Sequence, residues 1–219
     1  MGITIKKAKS MTIFRSHYLE YRTQQKYNLI SCGTPRGGTS VIGILMKLFN
    51  FELGDNIHPT VYEDMGFEGV PMQEWGNIVR SRISENENWC LKMPIASKCL
   101  EMFEDNLPNP VFFIVIRNPF GVAKSLIRHD PDYIDDIQSY QRGISNALHN
   151  YLSFSSSMLR LNSPFIIAEH EKIISIPEVF VNEFVENLNI DTDQATINKA
   201  ISLISKPGYK RIREPDYEN

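Results

Sequence analysis

The sequence contains few cysteines, and their positions exclude two structural roles. Only Cys32, Cys90 and Cys99 occur among 219 residues. An odd number of cysteines at such wide spacings fits neither a disulfide framework nor a zinc site. We therefore expect free, mostly buried thiols in a reducing compartment, which favours the cytoplasm.

Long apolar runs and a strong excess of either charge are also missing. No run approaches the roughly 20 apolar residues that span a bilayer, and no secretory apolar core follows the basic N-terminal stretch. The net charge of −3 gives no reason to expect a nucleic acid partner. We expect one domain over residues 1–219, in which residues 1–26 form a peripheral N-terminal arm and residues 206–219 a peripheral tail.

One glycine-rich stretch lacks the lysine of ordinary nucleoside triphosphate sites. Residues 27–31 predict a buried strand, and residues 41–49 predict a helix buried on all sides. Between them, GTPRGGTS (residues 33–40) matches the glycines and the final hydroxyl of G-x-x-x-x-G-K-[ST], but Thr39 replaces the lysine. Because a glycine loop before a helix N-terminus binds anions, the stretch predicts a phosphate-like ligand without magnesium. A plain strand-to-helix turn is the alternative.

A second stretch, residues 111–125, predicts another anion site. Its first six residues are all apolar, as in a strand covered on both faces of a parallel sheet. Arg117 ends the strand at the carboxyl edge, where α/β proteins bind ligands, and a helix begins near Phe120. Ser125, about a turn and a half into that helix, could face the same anion as Arg117. An ordinary surface arginine and an ordinary helix serine are the alternative.

Together the two stretches resemble the sulfotransferase family that uses 3′-phosphoadenosine 5′-phosphosulfate (PAPS). GTPRGGTS is similar to that family's 5′-phosphosulfate loop, and IRNPFGVAKS is similar to its 3′-phosphate motif, with Arg117 and Ser125 at the family's spacing. WCLKMP and AEHEKI resemble two further strands more weakly. The alternation of strands and helices and the resemblance, which spans residues 27–190, both indicate a P-loop-like three-layer α/β/α domain. Its sheet is expected to be mostly parallel, with four or five strands.

The resemblance implies transfer of a sulfuryl group from PAPS to an acceptor hydroxyl or, second, an amine, without a metal. The acceptor would be a glycan or a small metabolite. Arg117 and Ser125 would hold the 3′-phosphate. The 5′-phosphosulfate would be held by the loop, through Thr34, Pro35, Arg36, Gly37, Gly38, Thr39 and Ser40. Arg36 and the loop amides would also act in catalysis, by stabilising the charge that develops on the bridging oxygen. A P-loop kinase of a small metabolite and a non-catalytic nucleotide-binding protein are the two alternatives.

The loop after the first buried helix carries the candidate general bases. VYEDMGF resembles a segment found at this point in bacterial sulfotransferases, so Glu63 is the first choice. His58 is the second choice, because the proline after it suggests a role in shaping the turn, and Asp64 is the third. Lys92, near the end of a strand predicted over residues 89–93, could contact a phosphate or the acceptor. A lysine whose ammonium reaches solvent is the alternative.

Apolar periodicity predicts the remaining elements. Helices are expected over residues 71–84, 95–104, 177–187 and 193–205, with a strand over 165–168. The acidic residues 130–136 are expected to open a long helix with Asp132 as its N-cap. The basic C-terminal cluster loosely resembles a family segment near the 3′-phosphate, although a solvated tail is the alternative; it comprises Lys206, Lys210, Arg211 and Arg213.

Overall fold

A computed structural model describes residues 3–54, 56–85 and 89–205. The strands are β1 Ile5–Lys7, β2 Met11–Phe14, β3 Asn28–Gly33, β4 Leu91–Lys92, β5 Pro110–Ile116 and β6 Phe165–Glu169. The α-helices are α1 Ser16–Thr23, α2 Ser40–Leu48, α3 Trp75–Glu85, α4 Leu100–Asn106, α5 Pro119–His129, α6 Ile137–Arg160, α7 His170–Ser175, α8 Pro177–Asn187 and α9 Gln194–Ser205. Short 3₁₀ helices cover Met65–Phe67, Met72–Glu74 and Pro94–Lys98.

The strands form one six-stranded sheet in the order β1-β2-β6-β5-β3-β4. Strands β6, β5, β3 and β4 are parallel, whereas β2 runs antiparallel to both β6 and β1. The predicted α/β class with a mostly parallel sheet is confirmed. The expected count of four or five strands is too low, because part of the expected N-terminal arm forms β1 and β2. Each has only three or four residues, too few for a recognisable alternation of apolar and polar residues.

Helices cover both faces of the sheet. Leu29 and Phe113 belong to an apolar cluster that includes residues of α2, α8 and α9. Their neighbours Ile30 and Phe112 belong to a second cluster, which includes residues of α3, α4 and α6. Because successive residues of a strand point to opposite faces, β3 and β5 need apolar side chains at nearly every position. The continuous apolar runs in the sequence follow from this burial on both faces.

Two local predictions are wrong. Helix α6 begins at Ile137, and the Asp136 carboxylate caps it by accepting a hydrogen bond of 2.7 Å from the Ser139 N–H. The expected cap, Asp132, lies in the preceding turn, where its N–H donates to the Asp130 carboxylate. The helix expected over residues 95–104 is split in two, because Cys99 has a φ of −142° between the 3₁₀ helix and α4.

The cysteines match the sequence prediction. Cys32 and Cys90 are buried, Cys99 is half-buried, and all three are free thiols. Among the residues that the structure describes, no helix is long and apolar enough to cross a membrane. The basic cluster Lys206, Lys210, Arg211 and Arg213 lies outside the described residues.

Candidate active site

The glycine loop, residues 34–40, leaves the sheet after β3 and ends at Ser40, the first residue of α2. Gly33 pairs in register with Val115 of β5, so the loop starts at the same sheet edge as Arg117. A Cβ atom on Gly33 would lie 2.4 Å from the Val115 carbonyl oxygen, which makes a side chain impossible without a backbone shift. Gly38 has a φ of +92°, and a Cβ there would lie 2.2 Å from Nδ1 of His170. Glycine is therefore needed for the loop to pack against β5 and α7.

Main-chain donors are available where α2 begins. Among the described residues, the structure gives no acceptor for the N–H groups of Gly38, Thr39 and Ser40. Thr39 precedes the helix but makes no side-chain cap. The first N–H groups of a helix have no partner within it, and the dipole there favours negative charge. The predicted loop therefore has the donors that an anion requires.

Arg117 is held against this loop. Its Nη1 donates to the Arg36 carbonyl oxygen over 3.0 Å. Its Nε is buried and has no hydrogen-bond partner among the described residues. Arg36 itself has a φ of +63°, and its Nη2 donates over 3.1 Å to the carbonyl oxygen of His129, the last residue of α5. A hydrogen bond therefore joins the two arginines, and Arg117 Nε remains available as a donor.

Tyr151 of α6 fixes the backbone of Arg117 and was not singled out by sequence reasoning. Its hydroxyl accepts a hydrogen bond of 3.0 Å from the Arg117 N–H and donates to the Arg117 carbonyl oxygen. Burial raises the pKa of Tyr151, and its contacts with Arg117 and Thr34 oppose that rise. The sequence shows only an aromatic residue on the apolar stripe of a long helix, and this pattern predicts core packing.

A cavity of about 580 Å³ opens beside the loop. Its lining includes Glu63, His58 and Lys92 together with the loop residues Pro35, Arg36, Gly38, Thr39 and Ser40. The structure therefore brings the predicted base candidates, the predicted lysine and most of the predicted loop to one space. Four other predicted residues are not part of this lining: Thr34, Gly37, Arg117 and Ser125.

Lys92 and Glu63 form an ion pair in the cavity. Lys92 Nζ lies 2.5 Å from Glu63 Oε1, and the two side chains are 2% and 32% exposed. Burial lowers the pKa of the Lys92 ammonium, and the charge of Glu63 opposes that change. The lysine therefore does not reach solvent, which was the alternative left by the sequence. The pair holds a partly exposed carboxylate beside a buried cation.

The other two base candidates have structural contacts. Nδ1 of His58 accepts from the N–H groups of Thr60 and Val61 over 3.2 and 3.4 Å, so it caps the turn. The fully buried Asp64 side chain accepts from Arg82 Nε over 2.8 Å. It also accepts from Arg82 Nη2 and from the Gly66 N–H. Asp64 is therefore poorly placed to serve as the base.

Comparison with known proteins bears on the fold. No protein-family model matches the chain, and no curated protein matches it. The sulfotransferase domain from the curacin biosynthetic pathway aligns with a TM-score of 0.52 and 13% identity, covering 84% of this chain and 80% of that domain. Mouse sulfotransferase SULT7A1 complexed with PAP aligns with a TM-score of 0.48 and 12% identity, over 92% of this chain and 74% of that one. The first likeness shows that the chain shares its α/β fold with a sulfotransferase domain.

Proposed function

We propose that the protein transfers a sulfuryl group from PAPS to an acceptor hydroxyl or, second, an amine. The observation that carries the proposal is that the glycine loop and the Lys92–Glu63 pair line one cavity. An anion-binding loop next to a held carboxylate combines donor binding with proton removal. The fold shared with a sulfotransferase domain supports the same function.

The residues present fit a donor with two separate anionic groups. The N–H groups of Gly38, Thr39 and Ser40, with the Arg36 guanidinium, would hold the 5′-phosphosulfate. Arg117 would hold the 3′-phosphate with the buried Nε that has no partner among the described residues, and Ser125 would assist it. When bound, PAPS supplies an activated sulfuryl group. Because Thr39 stands where triphosphate sites have lysine, no metal-bound triphosphate is proposed.

On the acceptor side, Glu63 would act as the general base. Its carboxylate would accept the proton of the acceptor hydroxyl while that oxygen bonds to sulfur and the bond from sulfur to the 5′-phosphate oxygen breaks, so that adenosine 3′,5′-bisphosphate leaves. General-base help of this kind is worth about 10²–10⁴-fold in rate. Lys92 would orient the carboxylate and stabilise negative charge in the cavity. His58 would shape the turn that carries Glu63, since its Nδ1 is engaged with main-chain N–H groups.

Calorimetry can test donor binding and exclude a kinase. Adenosine 3′,5′-bisphosphate should bind without magnesium and more tightly than ATP. Equal or tighter ATP binding that increases with magnesium would refute the proposal and favour the kinase. Incubation with PAPS and a panel of acceptors, followed by mass spectrometry for the gain of one sulfuryl group, then separates an enzyme from a non-catalytic nucleotide-binding protein.

A further inference from the structure

We infer, on the basis of the proposed function, that the acceptor is an apolar alcohol, meaning a hydroxyl carried by a hydrocarbon chain or ring. The cavity has charged groups at Glu63, Asp64, Glu68 and Lys92 and at Arg36 of the glycine loop. Much of its remaining lining is apolar and is contributed by Met65, Phe67, Val70, Met72, Met93 and Ile95. A ligand whose hydroxyl meets Glu63 would therefore place the rest of its surface against these side chains.

The apolar wall is already formed in this structure. Phe67 packs edge-on against Trp75, with ring centroids 5.0 Å apart, and stacks on Trp89 at 6.0 Å. The indole N–H of Trp75 donates to the Val70 carbonyl oxygen over 3.0 Å, so its polar atom is already paired. Because this wall is already ordered, ligand binding does not carry the entropy cost of ordering mobile side chains. The flexible methionines, such as Met65 and Met72, can adapt to the outline of a hydrocarbon group.

Several polar side chains of the described lining already have partners, and the N–H groups of the glycine loop are assigned to the donor. Asp64 is held by Arg82, Lys92 by Glu63, and Nδ1 of His58 by the turn that follows it. A sugar would bring many hydroxyl groups against the apolar wall, where they would lose hydrogen bonds to water without gaining new ones. The structure therefore favours an apolar alcohol over the glycan that the sequence left open.

Both tryptophans of the chain contribute to this wall or its backing, so intrinsic fluorescence can report on its occupation. We would titrate the protein with straight-chain alcohols from butanol to decanol and with glucose, each with and without adenosine 3′,5′-bisphosphate. Each added methylene should tighten binding about three- to fourfold until the wall is covered. Glucose should produce no saturable change over the same concentrations.

Two methionine variants locate the binding. Met72→Gln places a polar group of similar size in the lining and should weaken the longest bound alcohol about tenfold. Met158→Gln makes the same change at another half-buried methionine that is not part of the cavity lining, and it should leave binding unchanged. Equal effects of the two substitutions would overturn the inference, because the alcohols would then bind elsewhere.

Turnover assays separate this inference from the proposed function. Chain-length-dependent binding that responds to Met72→Gln, without sulfuryl transfer to any acceptor, would refute the proposed function and retain the apolar ligand class. Sulfuryl transfer to sugars but not to alcohols would support the proposed function and refute the apolar acceptor. Binding that does not depend on chain length would also overturn the inference.

Discussion

The Lys92 ammonium and the Glu63 carboxylate lie 2.5 Å apart, but their side chains are 2% and 32% exposed. The pair therefore joins a buried cation to an anion that water can still reach. If Glu63 is removed, a buried charge loses its partner. If Lys92 is removed, the remaining carboxylate can still be hydrated.

We expect Glu63→Gln to destabilise the fold more than Lys92→Met. An ammonium left buried without its charged partner should cost about 1–3 kcal/mol, whereas an apolar side chain of similar length should fit the Lys92 site at a cost below about 1 kcal/mol. Urea unfolding of both variants at neutral pH measures the difference. A larger loss for Lys92→Met would mean that the ammonium has further stabilising contacts.

The stability gap between the wild type and Glu63→Gln should narrow as the pH rises. Burial lowers the pKa of Lys92 in the folded state below its ordinary value of 10.5, and Glu63 limits that lowering. Between the folded and unfolded pKa values the unfolded chain binds the extra proton, so stability increases with pH in that window. Without Glu63 the folded-state pKa of Lys92 is lower, so this window begins at a lower pH. The variant therefore gains more stability than the wild type as the pH rises. Unfolding curves from pH 7 to 10 would test this, and a constant gap would contradict it.

In catalysis, we expect Glu63→Gln to lower turnover of the true acceptor by about 10²–10⁴-fold. The affinity for adenosine 3′,5′-bisphosphate should stay nearly constant, because the substitution does not touch the glycine loop. His58→Ala is the comparison and should reduce turnover much less. If His58→Ala has the larger effect, His58 is the base. If neither matters, the base lies elsewhere and Lys92 is the next residue to test.

Arg117→Ala should weaken adenosine 3′,5′-bisphosphate by about 1.5–3 kcal/mol, the usual range for a hydrogen bond to a charged group. Adenosine 5′-monophosphate lacks the 3′-phosphate and should lose much less affinity. Arg117 also donates to the Arg36 carbonyl oxygen, so equal losses for the two ligands would point to a disturbed loop instead. Calorimetry with both nucleotides, and a thermal melt of the variant, separates these outcomes.

The parts of the fold that the sequence predicted correctly are determined by short stretches of consecutive residues. Residues 33–40 require glycines where the backbone passes close to β5, and β5 is apolar throughout because both of its faces are covered. Helix α8 was predicted with its observed bounds, since Pro177 marks its first turn. These signals are contained within a few consecutive residues.

The features that sequence missed depend on contacts between distant segments. Strand β2 has only four residues and forms because it pairs with β6, more than 150 positions later, and β1 in turn pairs with β2. In the acidic run before α6, several aspartates could cap the helix, and the choice of Asp136 depends on how the turn packs. The partner of Lys92 could not be read either, because Glu63 lies in a different loop. The roles of the site residues stay predictions until they are tested.

Strand β4 has only two residues and lies at one edge of the sheet. The segment that carries Glu63 also lies against this edge: the Cys90 N–H donates to the Glu52 carbonyl oxygen over 2.7 Å, and Lys92 pairs with Glu63. Exposed sheet edges invite pairing with other chains, which leads to aggregation. Substitutions that loosen this segment should therefore lower the yield of soluble protein as well as its activity, so expression level and catalytic rate should be measured together for every variant of the loop.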